Sequence, residues 1–215
     1  MRIDEQIKEK LNELMKIISS ADDYISKLEQ FSKVLTEKEK TLFDKYPLLD
    51  IIRFSFWDLA VLEICKLFNP DEKYGLTKIL NIIINNYSKI PWKVNLRKKE
   101  FTDLIKQINQ KEYLVERLKR IRDNFIAHLD DRKYVDSLAI SELRSLVDLS
   151  QTVYKKIELG INDSDMIWDF KNDTLDMKMI KNLFKFEALR EYIVTNDFKR
   201  VQYISTDDLI KILMN

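Results

Sequence analysis

The chain contains few residues that break helices or form tight turns. Its 215 residues include two glycines, Gly75 and Gly160, and three prolines, Pro47, Pro70 and Pro91. Hairpins and tight turns depend on the positive φ that glycine adopts readily and on the fixed φ of proline, so a hairpin-rich β-protein has little support in this sequence. The sequence therefore predicts an all-α protein built from long amphipathic helices.

The composition limits the classes of partner. Lysine and arginine number 37 and aspartate and glutamate number 36, which gives a formal net charge of +1. No global field draws the protein to nucleic acid or to an acidic membrane, so any such binding must rest on a local patch. The single cysteine, Cys65, excludes an intramolecular disulfide and fits a reducing compartment. Because the sequence has neither an apolar signal core nor an apolar run of about 18 residues, we expect a cytoplasmic protein with no membrane partner.

The first helix carries the clearest apolar pattern in the chain. Its seam follows alternating steps of four and three residues: Ile7, Leu11, Leu14, Ile18, Ala21, Ile25 and Leu28. This spacing is typical of a helix that buries one face in a bundle. It predicts one long helix within residues 1–46, or two nearly collinear helices that meet near Ser19 and Ser20.

Four more helices complete the predicted bundle. The second begins at Pro47 and ends before Pro70, and apolar residues on nearly all its sides predict a central position, with Trp57 and Cys65 as packing residues. The remaining three are predicted over residues 76–87, from 97–101 to 128–130, and over 140–159. Gly160 suits the position after the last of these helices.

The sequence changes character after Gly160. We expect residues 1–160 to form a bundle of about five helices and residues 161–215 to form a small helical C-terminal appendage. Two amphipathic helices are predicted in the appendage, over residues 175–193 and 207–213. The appendage could pack on the bundle, reach across to another protomer or bind a partner.

The stretch over residues 112–132 is the candidate functional site. It contains the only histidine of the chain, His128. The imidazole continues an apolar stripe at helical spacing: Leu114, Leu118, Ile121, Phe125 and His128. The same stretch has the strongest run of cationic side chains: Arg117, Lys119, Arg120 and Arg122. Polar side chains at the edge of an apolar stripe need partners, or a second chain, to offset their desolvation.

Arg122 and His128 cannot share one face of a continuous α-helix. Six residues turn a helix by roughly 600°, which leaves the two side chains about 120° apart and about 9 Å apart along the axis. To act on one phosphate, the helix must break before His128, or the site must combine residues from two chains. A two-fold dimer would place two copies of each residue around a shared groove.

The chemistry of these residues favours phosphodiester cleavage without a metal. One histidine and a distant Cys65 cannot form a zinc site, and glycine-rich phosphate loops, CxxC, HExxH and GxSxG motifs are absent, so we expect no metal and no cofactor. A Ser–His–Asp or Cys–His triad is compatible with the sequence, although no nucleophile-elbow motif is present. Histidine transfers protons near neutral pH, and a fixed guanidinium stabilises charge that develops on phosphate oxygens. With RNA, the substrate's own 2′-hydroxyl can be the nucleophile.

The segment Arg122-Asp-Asn-Phe-Ile-Ala-His128 resembles the motif of the HEPN superfamily, which has an arginine, a polar residue and a histidine after four to six intervening positions. The flanking segments resemble the abortive-infection branch of that superfamily: Ser55-Phe-Trp-Asp-Leu-Ala, Leu67-Phe-Asn-Pro-Asp71 and Leu76-Thr-Lys-Ile-Leu80. The resemblance covers about residues 1–160. It implies an all-α bundle that forms a homodimer, with the motif residues of both protomers lining a cleft.

Active members of the superfamily are metal-independent endoribonucleases, often toxins or antiviral effectors. The resemblance therefore implies that His128 is the catalytic acid or base, that Arg122 binds the phosphate, and that Asp123 orients one of them. RNA is the implied substrate, and an antitoxin or regulatory protein is a further possible partner. Asp130 stands where one toxin branch has a tyrosine, which puts the regulation known in that branch in doubt here.

Structural interpretations stand beside the functional ones. His128 on an apolar stripe can be a core or helix-end residue with satisfied hydrogen bonds. Three of the cations can contact the RNA backbone or form a solvated face or the rim of a dimer: Arg117, Lys119 and Arg120. The alternative function is a non-catalytic HEPN-like dimer that binds nucleotide, RNA or a protein partner.

Overall fold

A computed structural model describes residues 3–34, 47–123 and 138–164, together with residues 182, 185 and 186. Every regular element within these residues is helical, which confirms the predicted all-α class. The α-helices are α1 (Ile3–Val34), α2 (Pro47–Phe68), α3 (Leu76–Asn85), α4 (Lys98–Asn109), α5 (Glu112–Ile121) and α6 (Ile140–Asn162). A short 3₁₀ helix, Tyr87–Lys89, follows α3.

The chain divides into two compact units. One comprises Met1–Ser32 and Ile51–Phe170, and the other comprises Lys33–Asp50 and Lys171–Asn215. The predicted division at residue 160 stays a prediction. In the predicted appendage, residues 182, 185 and 186 are helical, and the rest of its two expected helices lies outside the described residues.

The buried face of α1 is the face that the spacing predicts. All seven seam residues are at most 2% exposed: Ile7, Leu11, Leu14, Ile18, Ala21, Ile25 and Leu28. The helix is continuous through Ser19, whose hydroxyl donates a hydrogen bond to the Met15 carbonyl oxygen at 2.7 Å. Of the two predicted arrangements, the single long helix is therefore the one observed.

The bounds of α2 agree with the prediction from Pro47 and Pro70, but its burial does not. The second half is part of the core, and Trp57 packs against it: the buried residues are Ala60, Val61, Ile64, Cys65, Leu67 and Phe68. In the first half, Ile51 and Phe54 are 59% and 58% exposed. The predicted central position is therefore wrong for the first half of the helix, because an apolar sequence does not by itself supply neighbours on every side.

The predicted fourth helix is two helices. The chain leaves α4 after Asn109 and starts α5 at Glu112, and between them the backbone of Lys111 has φ −97° and ψ 7°. In a continuous helix the seam that ends at Ile108 would continue through Lys111 or Glu112, and both are charged. In a continuous helix, ten residues would also leave the buried side chains of Ile108 and Leu118 about 80° apart around the helix axis. The break lets both apolar stripes face the core.

The predicted role of Gly160 after a helix end is wrong. The last helix continues to Asn162, and the residue with left-handed backbone is Asp163, at φ 56°. Gly160 is buried within α6, and its carbonyl oxygen accepts a hydrogen bond from the Lys93 N–H at 2.8 Å. A backbone approach of this kind requires a small residue.

Gly160 packs directly against the connection between the 3₁₀ helix and α4. An added Cβ would lie 2.7 Å from Trp92 Cζ3 and 2.8 Å from Leu96 Cδ1. The Trp92 ring also stacks on Phe101, with ring centroids 5.2 Å apart, and its Nε1 donates to the Tyr87 carbonyl oxygen at 2.9 Å. The indole is thus held on both sides, and glycine leaves it the space that it needs.

Arg144 joins α6 to α1 through a network of polar side chains. Its Nε donates to Glu29 Oε1 at 2.9 Å, its Nη2 to Ser26 Oγ at 3.0 Å, and its Nη1 pairs with Asp22. Asp22 and Ser26 are buried. Charged groups removed from water need such partners, and here they fix the register of the two helices. Desolvation raises the pKa of the neighbouring Asp148.

Candidate functional site

The ends of α2 and α5 meet at Cys65. The thiol donates a long hydrogen bond to the Leu118 carbonyl oxygen at 3.8 Å, and both residues are at most 3% exposed. Burial raises the pKa of Cys65 to about 12. Because the thiolate is the nucleophilic form, the protonated Cys65 is a packing residue, as predicted, and does not suit a catalytic triad.

Arg122 follows one turn after Leu118, directly after the last residue of α5. The α-helix ends at Ile121, and Arg122 directly after it still has right-handed helical backbone, with φ −56° and ψ −50°. The 120° separation between Arg122 and His128 holds for a continuous α-helix.

The structure brings Arg122 and Asp123 together. Both Nε and Nη2 of the arginine lie 2.8 Å from Asp123 Oδ1. The hydrogen bond to Asp123 raises the pKa of Arg122, so the guanidinium stays charged. The arginine side chain is 29% exposed and that of Asp123 is 59% exposed. Arg122 is therefore fixed in direction and still open to a ligand.

His128 lies outside the described residues. Its predicted approach to Arg122, within one chain or across two, stays a prediction, as does its predicted place at the end of the helix. The described part of the predicted site consists of Arg122, Asp123 and the cations before them in α5.

These cations do not form one patch. Arg117 forms an ion pair with Glu142 of α6 at 2.9 Å, stacks over the Tyr113 ring with its Cζ 5.4 Å from the ring centroid, and is 12% exposed. Lys119 interacts electrostatically with Cys65, as Arg122 does, because residues three apart share a helix face. Arg120 is exposed and lies three residues from Arg117. Lys119 and Arg122 thus lie together on the side of α2, whereas Arg117 faces α6.

The sequence did not indicate Glu72 as a site residue. It lies in the turn after α2, and its negative charge is the smallest of the influences on the raised pKa of Arg122 and of Cys65. The only sequence signal is the Asn-Pro-Asp break just before it, which marks a turn. Tertiary packing brings the end of α2 to the end of α5, and the spacing of residues in the sequence does not indicate this contact.

Within residues 3–34, 47–123 and 138–164, no group of three or more histidine, cysteine, aspartate or glutamate side chains could hold a metal ion. None of the helices described in these ranges has the length and apolar character needed to cross a bilayer.

Comparison with known protein families places the chain in the HEPN superfamily, as the resemblance indicates. Within it, the chain belongs to the AbiU2 family, whose family model matches residues 4–188. The match extends beyond the 1–160 region that carries the sequence resemblance. Neither the curated proteins nor the solved structures include a match to this chain.

Proposed function

We propose that the protein is a metal-independent endoribonuclease of the bacterial toxin or antiviral-defence type, acting in the cytoplasm as a homodimer. The observation that carries the proposal is the charged Arg122 side chain at the end of α5, held by Asp123 and partly open to solvent. Membership of the HEPN superfamily supports the proposal, since active members cleave RNA with an arginine and a histidine at this spacing.

In the proposed reaction, the RNA 2′-hydroxyl attacks the adjacent phosphorus, and the bond to the 5′-oxygen breaks. His128 transfers a proton, and Arg122 stabilises the charge on the phosphate oxygens. A guanidinium has five N–H donors. Asp123 occupies the Nε and Nη2 side, which leaves the other donors for a phosphate. Lys119 lies on the same side and would add to the attraction for the backbone.

A non-catalytic dimer that binds nucleotide, RNA or a protein partner is the second candidate. It is favoured by the paired state of two arginines, since Arg117 is bound to Glu142 and Arg122 to Asp123. An ion pair reduces the charge that a guanidinium offers to a phosphate. RNA affinity without cleavage, or no RNA affinity at all, would support this candidate.

The first test is incubation of the purified protein with total RNA in EDTA. We expect products that end in a 2′,3′-cyclic phosphate and a 5′-hydroxyl. His128→Ala and Arg122→Ala should each abolish these products. The control Arg97→Ala should not, because the Arg97 side chain is 87% exposed and the residue is far from the motif in the sequence. If the wild type and His128→Ala leave RNA equally intact, the protein is not this nuclease.

A growth assay tests the proposed toxin role. Expression in bacteria should slow growth for the wild type and not for His128→Ala, at equal protein levels. Co-expression of a cognate antitoxin or regulator, if one exists, should restore growth. Equal growth of the two strains would contradict the toxin role.

A further inference from the structure

The segment over residues 73–99 contains no acidic side chain. It has seven cations in 27 residues, whereas the whole chain has a formal net charge of only +1. The seven cations are Lys73, Lys78, Lys89, Lys93, Arg97, Lys98 and Lys99. A protein without a global field attracts a polyanion only through such a local concentration of charge. The segment is therefore a candidate for the local patch that binding to nucleic acid requires.

Four lysines of this segment have no carboxylate partner. They are exposed, and within the described residues none of their ammonium groups forms an ion pair: Lys89, Lys93, Lys98 and Lys99. Two exposed lysines elsewhere differ, since Lys16 and Lys106 each pair with the carboxylate three residues earlier, at 2.6 and 3.0 Å. Arg97, in the same segment, pairs with Glu100 at 4.0 Å. The four unpaired lysines are referred to as the lysine cluster.

Three aromatic rings hold the backbone of the lysine cluster in one place. The Trp92 ring stacks on Phe101, with ring centroids 5.2 Å apart, and its centroid lies 5.3 Å from that of Tyr87. The Trp92 Nε1 donates to the Tyr87 carbonyl oxygen at 2.9 Å. Each lysine is one to three residues from one of these rings in the sequence, which is at most about 11 Å along the chain. The four ammonium groups therefore extend from a single fixed frame.

The start of α4 also favours an anion beside the cluster. Lys98 and Lys99 are its first two residues, where the helix dipole favours negative charge and disfavours cations. The acid of the same turn, Glu100, does not offset them, because its carboxylate pairs with Lys156 and accepts the Arg97 N–H at 3.1 Å. A phosphate bound here would interact favourably with both lysines and with the helix end.

The segment suits a nucleic-acid backbone better than a lipid surface. Stable attachment to a membrane needs an apolar insertion in addition to basic charge. Residues 73–99 are all described, and the large apolar side chains that the structure exposes all lie elsewhere. Polar side chains stand beside the lysines instead, since Ser88 and Asn95 are exposed. Such side chains donate hydrogen bonds to phosphate and sugar oxygens.

The lysine cluster is distant from the helix that leads to Arg122. The Lys93 N–H donates to Gly160 near the end of α6, whereas Arg117 of α5 pairs with Glu142 near its start. The 18 residues from Glu142 to Gly160 span about 27 Å of helix. At 3.4 Å of strand per phosphate, an RNA needs roughly eight nucleotides to extend that far.

We propose that the lysine cluster is a second contact surface for the sugar–phosphate backbone of the RNA substrate. This inference deepens the proposed function and rests on its RNA substrate. The cluster binds phosphates without reading bases, so it contributes affinity and position but no sequence preference. The cleavage chemistry uses none of its residues.

The test compares two double variants that each remove two positive charges, with a labelled 2′-O-methyl RNA oligonucleotide that cannot be cleaved through its 2′-oxygen. One is Lys93→Ala with Lys98→Ala, and the control is Lys16→Ala with Lys106→Ala, whose lysines are paired. Each phosphate contact to a single strand contributes about 0.7 to the slope of log affinity against log salt. The cluster variant should therefore lower that slope by about 1.4, which is about 25-fold weaker binding near 0.1 M salt. The control should bind within about twofold of the wild type.

Equal losses of affinity in the two double variants would overturn the proposal, because net charge alone would then hold the RNA. Poly-glutamate that displaces the oligonucleotide as well as unlabelled RNA does would also overturn it, since the surface would then fit an acidic protein. Lys89→Ala with Lys99→Ala repeats the comparison at the other two positions, and circular dichroism should show the wild-type fold for every variant.

Failure of this proposal and failure of the nuclease give different results. A wild type that binds the oligonucleotide with the expected slope and cleaves no RNA would refute the nuclease and leave the contact surface in place. RNA cleavage by the cluster variant with the KM of the wild type would overturn the contact surface and leave the nuclease intact.

Discussion

The substitution Gly160→Ala has two opposing effects on the free energy of unfolding. Alanine in a helix interior is favoured over glycine by about 1 kcal/mol, so propensity alone predicts a more stable protein. The new Cβ, however, would meet Trp92 at 2.7 Å and Leu96 at 2.8 Å. Overpacking costs about 1–3 kcal/mol, and the upper end applies where the neighbour cannot move. Trp92 cannot move easily, because Phe101 stacks on it and Tyr87 accepts its N–H.

We therefore expect Gly160→Ala to lower the free energy of unfolding by about 2 kcal/mol, which is the steric cost less the gain in propensity. For a chain of this size, that lowers Tm by roughly 4–8 °C. Urea and thermal unfolding followed by circular dichroism measure both quantities. The control Thr152→Ala, at an exposed position in the same helix, should stay within about 0.5 kcal/mol of the wild type. A more stable Gly160→Ala protein would refute the packing argument.

Four further predictions concern the site and the polar network. Arg117→Ala should lower the free energy of unfolding by about 1–3 kcal/mol, through loss of a partly buried, hydrogen-bonded ion pair, and leave kcat unchanged. Lys119→Ala should instead raise KM for RNA and weaken its salt dependence, with stability within about 0.5 kcal/mol of the wild type. Asp148→Asn should stabilise the protein at neutral pH in urea unfolding. Because the folded-state pKa of Asp148 is raised, its ionisation costs stability above that pKa, and the benefit should disappear at acidic pH. If the site joins Arg122 of one chain to His128 of another, mixing Arg122→Ala with His128→Ala protein should restore about a quarter of the RNA cleavage. Half of the dimers formed from equal amounts of the two variants contain one chain of each, and one of the two sites in such a dimer is intact. If the site lay within one chain, the mixture would show no cleavage.

The apolar pattern was enough to predict the helices that bury one stripe. The α1 seam from Ile7 to Leu28 and the bounds of α2 follow from spacing and from proline positions, both of which act locally. The break between α4 and α5 was also present in the sequence, as a change of phase between Ile108 and Leu118. A single helix was predicted because the apolar spacing of each half is, on its own, typical of an amphipathic helix.

Other features depend on contacts between residues far apart in the sequence. Gly160 could be assigned to a helix end or to a close contact, and only the position of Trp92 decides between them. The end of α2 meets the end of α5 through the contact of Cys65 with Leu118, two residues that are 53 positions apart in the sequence. The pairing of Arg117 with Glu142 likewise depends on packing.

The helix that ends just before Arg122 buries fewer side chains than the other α-helices of the bundle. Two side chains of α5 are buried, Leu118 and Ile121, whereas α1 buries a seam of seven apolar residues. Segments with few buried contacts open at lower free energy than the core, so α5 should exchange its amide hydrogens sooner than α1. On heating, RNA cleavage should then be lost before the main cooperative transition, and the protein would be switched off while most of its helical signal survives.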